Sequence, residues 1–135
     1  MPYGMGDDAA PSAATSNREL MSEFARIFYT ERDPRTAFDR FVARDYVQHN
    51  PGLPDGPEAA VAGLEPKFQA EGVRFDIQRI LVDGDLAVVH VKASRPGAPD
   101  TAVADFYRLE GGRVVEHWDV LQPVPPESAN AHPMF

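Results

Sequence analysis

The sequence predicts a small α+β domain in which three N-terminal helices pack into a curved antiparallel sheet and leave a pocket at its open end. Two observations lead there. Apolar residues recur at helical intervals up to about residue 68, and from Val73 onward the period changes to two. Glycine-rich turns then divide the second half into four strand-like runs. A length of 135 residues suits one core and leaves no room for a second domain.

The segment before Ser16 is small, polar and rich in Gly, Pro and Ala, with little to bury, and reads as a mobile tail over residues 1–15. The folded domain is expected over 16–135. Ser16 and Glu19 have capping-box spacing, and Leu20, Phe24, Ile27 and Phe28 form the apolar stripe of a first helix reaching about Thr30. Asp33-Pro34 opens a second helix carrying Ala37, Phe38, Phe41 and Val42. Asp55-Gly56-Pro57 opens a third, with Val61, Leu64 and Phe68 inward and Pro66 kinking or shortening its end. The segment Asp45 to Pro51 between them reads as a loop able to close over the sheet.

Strands are expected at about 73–82, 85–95, 101–110 and 113–122, separated by Asp83-Gly84, Pro96 to Asp100 and Gly111-Gly112. This is an antiparallel meander, and helices laid on one face of it build the core. The 43% hydrophobic and 25% charged composition is globular and suffices for that core without cross-links.

Composition also narrows function. With no cysteine, there is no disulfide framework, thiolate metal site or cysteine nucleophile. The formal charge of −8 argues against nucleic acid as a partner, because phosphate backbones are held by clustered Lys and Arg. No signal-peptide pattern and no run of about 18 apolar residues stands out, so a cytoplasmic protein without a membrane partner is expected.

The informative residues are polar groups in strands: His90, Asp105, and His117 with Asp119. A buried carboxylate needs hydrogen-bond partners or a wet cavity. Alternation puts Val115, His117, Asp119 and Leu121 on one face of the last strand, and Glu116, Trp118 and Val120 on the other. The place of Asp105 depends on the hairpin. A two-residue Gly111-Gly112 loop sets Asp105 opposite Trp118. A three-residue loop pairs Leu109 with Arg113 and sets Asp105 opposite His117, which gathers Asp105, His117 and Asp119 on one face. We expect the second, because two carboxylates flanking an imidazole form a stable hydrogen-bonded set. His49, in the loop read above, is a fourth candidate.

The stretches DYVQHNPGLPDGPE and DFYRLEGGRVVEHWDVLQPVP, with the ending NAHPMF, resemble the SnoaL-like polyketide cyclase family over about residues 17–135. That family lies in the nuclear-transport-factor-2-like superfamily of cone-shaped, cystatin-like α+β domains. The resemblance implies that Asp119 is the acid and base of a cofactor-independent intramolecular aldol closure, and that Asp105 is a second polar pocket residue. It also implies a homodimer. The same scaffold supports isomerases, dehydratases, hydrolases and binding proteins, so fold alone names no activity.

The expected catalytic set is Asp119, His49, Asp105 and His117, with Tyr46, Asn50, His90, Phe106 and Trp118 as ligand-binding candidates. No close-spaced ligand motif such as HExxH is present, so neither metal nor cofactor is expected. One reading is an enzyme acting on a small carbonyl compound, with Asp119 moving a proton beside the carbonyl and His49 or His117 donating to the enolate. Its basicity would rest on the apolar neighbours Val115 and Leu121. The other reading is a non-catalytic dimeric module for an apolar ligand. Convergence of Asp119 with a histidine would favour the first, and scattered polar groups the second.

Overall fold

In the computed structural model, residues 13–135 are described, with side chains from Ser16 onward. The expected tail falls mostly outside these residues. The first helix, α1, spans Ala13–Ala25 and continues into a π-helical turn, Arg26–Thr30. It therefore starts three residues before Ser16, which lies inside the helix rather than capping it. Its end at Thr30 is where the apolar stripe stops.

Helix α2, Pro34–Phe41, starts as its sequence dictates: the Asp33 carboxylate accepts from the Thr36 amide at 3.1 Å. Helix α3, Pro57–Phe68, has Gly56 at its N-cap, and Pro66 sits in its last turn without interrupting it. Between these helices the structure departs from expectation. Residues Val42–Gln48 form a strand, β1, where the sequence pattern predicts a helix end and a loop. Val42 leaves the second helix and becomes the first residue of this strand, buried in the core.

The remaining strands are β2 (Arg74–Asp83), β3 (Leu86–Ser94), β4 (Thr101–Glu110) and β5 (Arg113–Pro123). They give one five-stranded sheet in the order β1-β5-β4-β3-β2, antiparallel except for β1, which runs parallel to β5. The helices cover one face. Phe24, at the centre of the core, stacks on Phe28 at 5.1 Å and meets the Tyr107 ring edge-on at 5.2 Å. Phe38 and Phe68 extend this aromatic layer toward the sheet's open end.

The β4–β5 hairpin settles the register differently from either simple turn. Gly111 and Gly112 have φ of 59° and 76°, the left-handed pair of a two-residue turn, and Glu110 pairs with Arg113. The expected three-residue loop, with Leu109 opposite Arg113, is not formed. Leu109 faces Val114 and Arg108 faces Glu116, so Val115 is an extra residue, a β-bulge. The bulge shifts the pairing by one, so Asp105 lies opposite Asp119 and Phe106 opposite Trp118. Val114 takes the buried core position, and Val115 is not a cavity neighbour of Asp119. The expected grouping of Asp105, His117 and Asp119 on one face holds, but through the bulge.

Candidate active site

A cavity of about 300 Å³ opens between the helices and the concave face of the sheet. Its wall is largely apolar, and Tyr46, Gln48, Asn50, Asp105, His117 and Asp119 form its polar end. Strand β1 explains the first three. Alternation along an extended chain turns Tyr46, Gln48 and Asn50 toward the cavity, and turns His49 to the opposite face.

Asp105 sits mid-strand in β4 with a buried side chain, and its neighbours satisfy both oxygens. The Tyr29 hydroxyl donates to Oδ2 at 2.5 Å, and His117 Nε2 lies 2.9 Å from Oδ1. Tyr107 completes the chain, its hydroxyl 2.6 Å from that of Tyr29. Tyr29 reaches this point from the π-helical turn, a departure from α geometry often found beside functional groups. Burial first, and then the negative charge of Asp105, push both phenols well above the ordinary tyrosine range. Burial likewise raises Tyr46. These hydroxyls remain protonated donors at any physiological pH.

Hydrogen-bond inventory fixes one proton on His117. The Asn50 backbone N–H, which can only donate, lies 2.9 Å from Gln48 Oε1, and Gln48 Nε2 donates to the Tyr46 hydroxyl at 2.9 Å. The carbonyl oxygen of Gln48 therefore faces His117 Nδ1 at 2.7 Å, so Nδ1 carries a hydrogen. Across the ring, His117 Nε2 lies 2.9 Å from Asp105 Oδ1, so a hydrogen on Nε2 would be donated to that carboxyl oxygen.

Asp119 is oriented separately. The Gly52 amide donates to Asn50 Oδ1 at 2.7 Å, which turns the Asn50 amide nitrogen to Asp119 Oδ2, also at 2.7 Å. His117 Nε2 lies 3.8 Å from that same oxygen, beyond hydrogen-bond reach. Among the described residues no donor approaches Asp119 Oδ1. The result is a pocket carboxylate with one oxygen anchored and one available, beside the hydrogen-bonded Asp105–His117 pair.

The other expected site residues divide. Tyr46 and Asn50 line the cavity. His49, His90, Phe106 and Trp118 do not: they belong to the outer face of the sheet. His49 stacks on Trp118 at 4.9 Å with the rings 6° apart, and its Nε2 is 2.7 Å from Glu116 Oε2. Arg108 donates to the other Glu116 oxygen at 2.8 Å, and these two bonds, Arg108 foremost, lower the Glu116 carboxyl. His90 meets Arg79 and the ring of Phe135.

The sequence reading missed Tyr29, Tyr107 and Gln48. Tyr107 was accessible, two residues beyond Asp105 on the same strand face. Gln48 needed the strand β1 to be recognised. Tyr29 carried no signal beyond its place among apolar residues at a helix end. Ligand atoms of Asp105, His117 and Asp119 lie within 4.8 Å of one another, a spacing that one cation could bridge, although Asp105 Oδ1 and His117 Nε2 already face each other there at 2.9 Å.

The SnoaL-like domain family matches residues 21–117, most of the chain. The protein belongs to that family. Among solved structures, it resembles an NTF2-like protein of unknown function from Mesorhizobium loti, with 22% identity, 84% of this chain and 96% of that one covered, and a TM-score of 0.70. A candidate polyketide cyclase from Acidithiobacillus ferrooxidans is 23% identical over 82% of this chain and 91% of its own, with a TM-score of 0.62. A candidate ketosteroid isomerase from Kribbella flavida is 18% identical over 92% and 87%, with a TM-score of 0.67. At these identities the likeness is one of fold, and it establishes the NTF2-like architecture. No curated protein sequence matches the chain. The family match ends at His117, two residues before Asp119, so any role for that carboxylate stands on its surroundings.

Proposed function

We propose that this SnoaL-like protein is a cofactor-independent acid/base enzyme acting on a small carbonyl compound, with Asp119 as the base. The observation that carries the reading is the arrangement of Asp119, whose Oδ2 is fixed by Asn50 while Oδ1 meets no donor among the described residues, at the polar end of a largely apolar cavity. An anchored carboxylate at an apolar wall is positioned to take a proton from carbon. As the C–H bond breaks, its electron pair forms the enolate C=C and the carbonyl π pair moves to oxygen. A proton on the Asp105–His117 pair stabilises that oxygen by hydrogen bonding or transfer. Return of the Asp119 proton to another carbon gives isomerisation, and its delivery to the alkoxide formed by internal attack gives aldol closure. The structural likeness to candidate cyclases and isomerases agrees with this chemistry.

Convergence of polar groups favours this over a purely binding role, although the histidine at hydrogen-bond distance pairs with Asp105 rather than Asp119. The test is Asp119→Asn, assayed by loss of α-hydrogens from an aryl methyl ketone in D2O. Exchange should fall by about 10²–10⁴ with affinity retained. Full exchange in the variant would sink the mechanism.

The protein is further proposed to be a homodimer through the outer sheet face. Phe106 and Val120 remain 39% and 64% exposed there, alongside Trp118. Sedimentation at micromolar concentration should give twice the chain mass; a monomer alone would remove this proposal.

A further inference from the structure

The cavity is electrically asymmetric. Its carboxylates, Asp105 and Asp119, lie at the deep polar end, whereas its wall also includes Lys67, from the last turn of α3, and Arg95, just after β3. Both are exposed at the mouth, and neither is ion-paired with a carboxylate among the described residues. The distance between the two supporting segments is not left to chance. Gly72, φ 82°, in the turn after α3, lies so close to Pro96 that a Cβ added to it would stand 2.5 Å from the Pro96 ring. The Arg32 guanidinium donates to the carbonyls of Phe68, Ala70 and Val73, at 3.2, 3.2 and 2.9 Å, and so holds the same turn. One lip thus carries Lys67, the touching lip carries Arg95, and the scaffold beneath both is braced.

Resting on the carbonyl chemistry above, we infer that the ligand is an amphipathic keto acid: its apolar body fills the cavity, its carbonyl meets Asp119, and its carboxylate lies at the mouth between Lys67 and Arg95. A chain of net charge −8 repels organic anions at long range, so recognition of one must come from a local device. The two mouth cations are that device. Between the polar end and the rim lie Phe28, Phe68, Phe75, Val91 and Val103, which suit a flat or ring-shaped body. The volume, about that of ten water molecules, restricts that body to a small ring system.

Calorimetric titration with 6-acetyl-2-naphthoate and with its neutral counterpart 2-acetonaphthone tests the inference. The wild-type chain should bind the acid three- to tenfold more tightly, the scale of exposed ion pairs. That preference should shrink at 0.5 M salt, given a Debye length near 4 Å. The double variant Lys67→Gln, Arg95→Gln should lose the preference while retaining affinity for the ketone, and its thermal melt should match wild type because both side chains are exposed. Equal binding of the two probes, preference surviving in the double variant, or no binding of either at millimolar concentration would overturn the inference. Asp119→Asn separates it from the mechanism: acid preference retained in that variant without exchange supports both, while exchange of the neutral ketone by the wild-type chain with no acid preference refutes only the anion site.

Discussion

Replacing Tyr29 by phenylalanine tests whether the buried hydroxyl chain holds Asp105 in place. The ring and its packing against Phe28, 4.7 Å between centroids, are preserved, so no cavity is opened. What disappears is the donor to Asp105 Oδ2 and the partner of the Tyr107 hydroxyl. A hydrogen bond to a charged group contributes about 1.5–3 kcal/mol, and a buried hydroxyl left without a partner costs about 1–3 kcal/mol. Some relaxation is expected, so a loss of about 2–4 kcal/mol follows, a large part of a domain's usual 5–15 kcal/mol. Urea unfolding at pH 7.5 measures it.

The same variant has a second signature at high pH. Tyr29, Tyr46 and Tyr107 all have raised pKa values in the folded chain, principally through burial. Above about pH 10 the unfolded chain releases these protons and the folded chain keeps them, so stability falls as pH rises; below pH 10 their contribution is fully present. Each such group adds a slope approaching about 1.4 kcal/mol per pH unit. Three tyrosines give about 4 kcal/mol per unit, and Tyr29→Phe should reduce that to nearly 3. A variant that loses under about 1 kcal/mol at pH 7.5 and keeps the wild-type alkaline slope would refute the claim that Tyr29 supports Asp105.

Two further outcomes are expected. Deleting Pro133 to Phe135 should lower the melting temperature by a few degrees, because Phe135 lies against His90 and under Lys92 Nζ, 5.4 Å from its ring centre, and such a contact contributes about 0.5–1 kcal/mol; an unchanged melt would show the end to be undocked. Dialysis against EDTA should leave hydrogen exchange of the ketone intact, since Asp105 and His117 already bond to each other where a cation would bind; loss that zinc or magnesium restores would assign the three groups to a metal.

Local signals served well where a residue acts through its own neighbours. Asp33-Pro34 starts α2, with the Asp33 carboxylate accepting from the Thr36 amide. They served poorly where pairing is non-local. Nothing in Arg113 to Glu116 marks Val115 as a bulge, because the extra residue is set by the fit of β5 between β4 and β1. The QHNP segment shows the same limit. As an isolated stretch ending in Asn-Pro it reads as loop, and its histidine draws attention. Gln48 instead ends strand β1, paired with β5, and the chain just beyond it turns Asn50 to the cavity beside Gln48 and sends His49 to Trp118. A period-two reading of Tyr46, Gln48 and Asn50 would have made the same selection.

The two cavity aspartates differ in how fully their partners engage them. Asp105 is held by Tyr29 and by His117 in the middle of a central strand, and both oxygens are engaged. Removing it would leave a buried phenol and a buried imidazole without their acceptor, a change that costs stability before it costs turnover. Asp119 faces it across the β4–β5 pair but has one anchored oxygen and one open to the cavity. The placement of Asp119, with one oxygen anchored by Asn50 and the Asp105–His117 pair beside it, therefore follows from one bulge, one left-handed glycine turn and one parallel edge strand.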